Sequence, residues 1–393
     1  MVRSGDKLNV AVLGTSVPRQ CGLAVFAQDL MDELALLEDF NVPRVIAVND
    51  HKRYAYGHQV MAQIDQDERL DYTKAPEEVN RSAIDLVVIQ HEFGIYGGDS
   101  GEYVLDFAET LQIPVITTFH TVLEQPTAQQ RRIVTRLADL SAKVVTMAQN
   151  TAGNLAAVYG VDSSKIEVLH HGVPYVQTES RPKLKERFGY ANRQILSTFG
   201  FLSPGKGIEY GIEAMSGVVA RHPEALYIVW GKTHPVVREE TGEAYRQKLT
   251  SLVSKLGLDN HVKFVDKLLT QEEVIQSLVL SDIYMTPYVA QEQAVSGTLA
   301  YGIGYGRAIV STPYRYAEEM LAGGRGLLAK FRDVASLEAC ILELLEHPLQ
   351  KRQMETRAAA LGHTMMWSEI AKRYALLFRG VMESSYTHLP SSA

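Results

Sequence analysis

The sequence predicts an α/β fold built on parallel sheets and repeated in two successive halves, and three observations carry that prediction. Short β-branched apolar runs alternate with longer stretches of helical period almost from end to end, the pattern of βαβ units. The runs are too continuously apolar for a half-exposed sheet, so helices must cover both faces. The alternation is broken once, by the polar stretch 181–192, and then begins again.

In the first half the strand-like runs are 8–14, 44–48, 84–90, 114–120, 143–147 and 166–170. In the second they are 194–201, 226–231, 261–265, 282–287, 307–312 and 326–328. Between 366 and 382, Trp367, Ile370, Tyr374, Leu377 and Phe378 recur at helical spacing and predict an amphipathic helix. The expected division is therefore 1–180, 181–365 and a final helical segment 366–393.

The length agrees: 393 residues, 46% hydrophobic and 22% charged, suit two domains and exclude a single small binding module. No segment approaches the roughly 18–20 uninterrupted apolar residues of a membrane span. Thirty-nine Lys and Arg against 46 Asp and Glu leave a net charge of −7, which provides no general field for nucleic acid. Cys21 and Cys340 are too few for a disulfide framework or a cysteine metal site. The first residues run almost directly into a strand without the pattern of a secretory signal, and the expected location is the cytoplasm.

In parallel sheets ligands bind beyond the carboxyl ends of the strands, so the residues after each run are the candidates for chemistry. The first run leads through Gly14 to Gln20, Cys21 and Gly22 at a helix entrance, without the Gly-x-Gly-x-x-Gly spacing of dinucleotide binding. The run at 84–90 ends in Gln90, His91, Glu92 and, a little further, Tyr96, and the run at 114–120 ends in His120 and Thr121. Titratable groups at two neighbouring strand ends point to one shared crevice. His170, His171 and Gly172 stand at the edge of the first half, and no histidine spacing matches a zinc site.

In the second half, Gly200-Phe-Leu-Ser-Pro-Gly205-Lys206-Gly207 joins a strand to a helix. Backbone amides, the helix dipole and the Lys206 ammonium together suit a phosphate. A second anion cradle is expected at Ser296, Gly297 and Thr298, just after the strand that ends at Pro287.

These residues, with Thr118-Phe119-His120-Thr121, His171-Gly172-Val173, Gly231, Ser281-Asp282 and the segment 306–312, resemble glycosyltransferase family 4 over nearly the whole chain. The resemblance implies the GT-B architecture: two Rossmann-like domains with parallel sheets facing a central cleft, an acceptor-side N-terminal domain and a donor-binding C-terminal domain. The final helix would cross back to the first domain. It implies a retaining, metal-independent transfer of a hexose, mannose or glucose among them, from a UDP- or GDP-sugar to a carbohydrate acceptor.

Carried over by position, His120 would contact the donor sugar at the reaction centre and Lys206 would neutralise the leaving phosphate. Gly205, Ser296, Gly297, Thr298 and Leu299 would complete the phosphate cradle. Gln293 and Glu292 would meet the donor sugar, and Gly231, Lys232 and Tyr301 the nucleotide. Gln20, Gly22, His91, Glu92 and Tyr96 would lie on the acceptor side. Phe201 replaces the arginine usual in the phosphate motif, and Gln293 and Tyr301 occupy the places of two usual glutamates. Lys232, Arg238 and Arg307 are the candidate replacements for the lost charge. These departures leave two alternatives, a glycoside phosphorylase of the same fold and a non-catalytic carbohydrate-binding relative.

Overall fold

The computed structural model describes residues 7–292 and 294–387. The chain forms two compact units, Met1–Gly172 with Trp367–Ala393, and Val173–Met366.

In the first unit the chain runs through β1 (Val10–Gly14), α1 (Gly22–Ala35), β2 (Arg44–Asn49), β3 (Val60–Asp65), α2 (Asp71–Asn80) and β4 (Leu86–His91). It continues through α3 (Val104–Thr110), β5 (Val115–Phe119), α4 (Ala128–Leu140), β6 (Lys143–Thr146), α5 (Gln149–Ala157) and β7 (Ile166–Val168). The strands form one sheet in the order β3-β2-β1-β4-β5-β6-β7, and every pair is parallel. β1 and β4 are buried along their whole length, as their unbroken apolar sequence requires. β3 is absent from the sequence-based expectation. It is an edge strand of mixed burial, so it lacks the continuous apolar signal of the inner strands.

The second unit contains α6 (Arg181–Arg187), β8 (Gln194–Phe199), α7 (Ile208–Arg221), β9 (Ala225–Trp230), α8 (Pro235–Thr241), α9 (Ala244–Lys255), β10 (Val262–Val265) and α10 (Gln271–Leu280). There follow β11 (Ile283–Thr286), α11 (Gly297–Gly304), β12 (Ile309–Ser311), α12 (Arg315–Leu321), β13 (Leu327–Leu328), α13 (Val334–Glu346) and α14 (Pro348–Thr364). The sheet order is β10-β9-β8-β11-β12-β13, again parallel throughout. The polar stretch after 180 is α6, held within this unit by Lys185 on Asp282 at 2.5 Å and Arg181 on Glu355 at 2.6 Å. The units divide ahead of it, between Gly172 and Val173.

The last helix, α15 (Trp367–Thr387), belongs to the first unit. It packs along α1, with the Trp367 indole N–H donating to Asp29 at 3.0 Å, Phe378 6.2 Å from Phe40, and the Tyr374 hydroxyl 3.3 Å from that of Thr118. A Cβ on Gly172 would lie 2.0 Å from the Trp367 ring, so this glycine of the His171-Gly172-Val173 motif makes room for the helix entrance. Among the described residues no helix is long and apolar enough to cross a membrane.

Candidate functional site

Each sheet has one topological switch point, between β1 and β4 in the first unit and between β8 and β11 in the second. Crevices form outside the strand ends at such points. The loops that carry the sequence's candidate residues flank these two places.

In the first unit, Gly14 closes β1 against the end of β4, where its Cβ would lie 3.1 Å from Cβ of Gln90. Gly22 opens α1 with free space around its Cα, and Gln20 is exposed beside it. His120 follows β5, with its N–H donating to the His91 carbonyl at 3.0 Å and its Nε2 2.7 Å from Gln90 Oε1. The Phe26 ring of α1 stands edge-on to His120 at 4.8 Å and to His171 at 5.1 Å. Burial pushes His120 down to about 3 and His171 to about 4, so both imidazoles are neutral at physiological pH. Glu92 accepts from the Thr121 hydroxyl at 2.6 Å and from the Phe93 N–H at 3.0 Å, while burial holds its carboxyl above the ordinary carboxylate range.

His91 differs from His120. It is fully buried among Phe93, Tyr96 and Phe119, at 5.0, 6.3 and 5.2 Å, and neither ring nitrogen has a hydrogen-bond partner among the described residues. Tyr96 is buried as well and spends its hydroxyl on the Gln90 carbonyl at 2.8 Å. Both are therefore core residues in place of the expected acceptor contacts: alternation along β4 turns His91 inward, and the neighbouring rings close over it.

In the second unit, Gly200 and Gly231 adopt φ of +124° and +128°. A Cβ on Gly231 would come within 2.2 Å of the Gly200 carbonyl oxygen, so the ends of β8 and β9 touch through backbone alone. Gly231→Ala is expected to lower stability by more than about 1 kcal/mol and to shift the loop beside Lys232, which thermal unfolding measures. Gly207, at φ +59°, would place a Cβ 2.1 Å from the Pro287 carbonyl, drawing the start of α7 against the end of β11.

That approach brings the two anticipated phosphate loops together. Lys206 Nζ lies 3.9 Å from the centroid of the Tyr288 ring, a cation–π contact. The Tyr288 hydroxyl meets Thr298 Oγ1 at 2.6 Å, and Thr298 Oγ1 is 3.1 Å from Ser296 Oγ. Ser296 caps α11 by accepting from the Leu299 N–H at 3.3 Å. The Leu299 amide is thus occupied and its side chain buried, leaving the Gly297 and Thr298 amides as the helix-end donors of this site. Gly205 is exposed at the turn preceding Lys206. His234 packs edge-on to Phe201 at 5.6 Å and is held below its ordinary range by burial and by the Lys206 charge.

The remaining candidates scatter. Glu292 is exposed, and Gln293 lies outside the described residues. Lys232 is exposed, with its carbonyl accepting from the Leu202 N–H at 2.8 Å. Tyr301 is half-buried, 6.2 Å from Phe199. Arg238 faces solvent near Glu243 at 3.4 Å. Arg307 does not replace a missing phosphate cation: it is half-buried and donates to the carbonyls of Tyr305 at 2.8 Å and Val279 at 3.3 Å. Tyr305, Tyr314 and Tyr316 serve packing, Tyr305 by hydrogen bonds to Pro174 and Val176 and the other two by full burial. Sequence reasoning missed Gln90 and Tyr288. Gln90 lies within β4 and Tyr288 two residues beyond β11, and no local motif marks either.

The two parallel-sheet α/β units, with a cation and two helix ends gathered at the switch point of the second, have the fold of the GT-B class. Two family models match the chain, Glycosyltransferase Family 4 over residues 38–175 and Glycosyl transferases group 1 over residues 193–347. The resemblance to the group 1, family 4 glycosyltransferases thus spans both units. An uncharacterized glycosyltransferase of Methanocaldococcus jannaschii is 26% identical over 56% of this chain and 53% of its own. A GDP-mannose-dependent α-(1-6)-phosphatidylinositol monomannoside mannosyltransferase of Mycolicibacterium smegmatis is 23% identical over 59% of this chain and 58% of its own. The chain therefore spans little more than half the length of these curated relatives. In fold it is similar to Anabaena HepE in complex with UDP, with a TM-score of 0.74, 16% identity, and coverage of 95% of this chain and 100% of that one.

Proposed function

We propose that the chain is a retaining, metal-independent hexosyltransferase of the cytoplasm, which moves a sugar from a UDP- or GDP-hexose to a carbohydrate acceptor. The observation that carries this reading is the convergence of Lys206, Tyr288, Ser296 and Thr298 at one switch point. A departing diphosphate gains one negative charge as its bond to the sugar breaks, and fixed positive groups stabilise that charge without reorganising. Lys206 supplies the full charge, and the amides at the start of α11 supply the helix-end dipole. A relative that uses GDP-mannose and a structural neighbour that binds UDP support a nucleotide-sugar donor.

In the reaction the acceptor oxygen bonds to the anomeric carbon on the face that the phosphate leaves. The bond from that carbon to the phosphate oxygen breaks, and the acceptor's proton passes to the departing oxygen. His120, neutral in its buried pocket, orients the donor sugar by hydrogen bonding and takes no proton. Gly231, Lys232 and Tyr301 stand on the nucleotide side, and Gln20, Gly22 and Glu92 on the acceptor side.

The test is calorimetry with UDP and GDP, followed by transfer from their hexose conjugates in the presence of chelator. Nucleotide binding with turnover and a retained anomeric configuration is the expected result. Failure to bind either nucleotide at millimolar concentration overturns the proposal, and phosphate-dependent cleavage of a glycoside replaces it with the phosphorylase.

A further inference from the structure

Gln90 has no part in the scheme above, yet the fold spends several contacts on holding it. It lies within β4, is 1% exposed, and has its carbonyl held by the Tyr96 hydroxyl at 2.8 Å. Gly14 lets the neighbouring strand pass close to its side chain. Its amide oxygen is 2.7 Å from His120 Nε2, and the Phe26 ring packs edge-on to that imidazole at 4.8 Å.

We infer that Gln90 is a positioning residue that holds His120 in the tautomer with its proton on Nε2. An amide oxygen only accepts, so the pair is satisfied when Nε2 carries the hydrogen, and the lone pair is then on Nδ1. His120 in that state meets a ligand through Nδ1 as an acceptor, which selects a hydroxyl group and gives no hydrogen bond to a bare ether or carbonyl oxygen. The Gln90 amide nitrogen has no partner among the described residues, so the side chain's one hydrogen bond is the one to His120. This inference rests on the proposed contact between His120 and the donor sugar, but the tautomer itself does not.

The experiment reads the ring nitrogen chemical shifts of His120 by NMR in isotope-labelled full-length protein, in mildly alkaline buffer, with the resonances assigned by their loss in His120→Phe. The wild type is expected to show a protonated Nε2 and an unprotonated Nδ1. Gln90→Glu keeps an acceptor and should keep that pattern, whereas Gln90→Leu removes it and should give a mixture or the opposite tautomer. In transfer assays Gln90→Leu should lower kcat by about tenfold with donor KM little changed, and Gln90→Glu should restore most of the rate. A wild-type proton on Nδ1, or a tautomer unaltered in Gln90→Leu, overturns the inference. Absence of transfer in every form, with the tautomers as expected, instead overturns the proposed function alone.

Discussion

Lys206→Ala is expected to weaken binding of UDP or GDP by roughly 10- to 150-fold, equal to about 1.5–3 kcal/mol for a hydrogen bond to a charged group. The ammonium stands over the Tyr288 ring, whose own hydroxyl is tied to Thr298, so the charge is held at the helix end instead of ranging through solvent. Tyr288→Leu removes that support and should give a smaller loss of the same kind, about 1 kcal/mol. Calorimetry at low and high salt measures both. The substitution removes a full charge from the phosphate site, so the loss should shrink as salt rises. Unaltered affinity in Lys206→Ala would mean that the ammonium is solvated and that the phosphate sits elsewhere.

Acid should destabilise the protein well before its carboxylates titrate. His91 and His120 are held down to about 3, against an ordinary value of 6.5, chiefly by burial. Between those values the unfolded chain binds protons that the folded chain refuses, so stability is complete above about pH 6.5 and falls as the pH drops toward 3. Each of the two imidazoles contributes a slope of up to about 1.4 kcal/mol per pH unit in that window. His171, held down to about 4, acts in the same direction. His91→Phe should flatten the dependence and leave stability at neutral pH equal or higher, because it replaces two unpartnered nitrogens with a ring suited to Phe93, Tyr96 and Phe119. Thermal melts from neutral pH to about pH 5 test this, and an unaltered slope in the variant would show that His91 is already protonated or solvated.

The contrast between His91 and His120 shows how far the site was legible. Both are strand-end histidines in similar apolar contexts, and the sequence treats them alike. Pairing of β4 with β5 sets His91 opposite Phe119 and brings His120 beside Gln90, and alternation then turns one ring into the cluster of Phe93, Tyr96 and Phe119 and the other against Phe26. Lys206 was legible because a glycine-rich turn before a helix is a local feature. Tyr288 was not, since its meaning comes from Lys206, which belongs to a different βα loop. Arg307 illustrates the converse, a charge of the right sign in the right motif that the fold commits to backbone carbonyls.

The sequence by itself determined the α/β class, the succession of parallel strands apart from the edge strand β3, the phosphate-suited loops and the family resemblance. Those properties are local: burial on both faces writes an apolar run, and a tight turn into a helix writes glycine. Only the tertiary structure decided which polar side chains meet, namely Gln90 with His120, Lys206 with Tyr288, and Ser296 with Thr298. Except for that last pair, each contact joins residues from different βα units, and its geometry is set by strand register and by glycines that let backbones touch. Neither leaves a periodic signal along the chain.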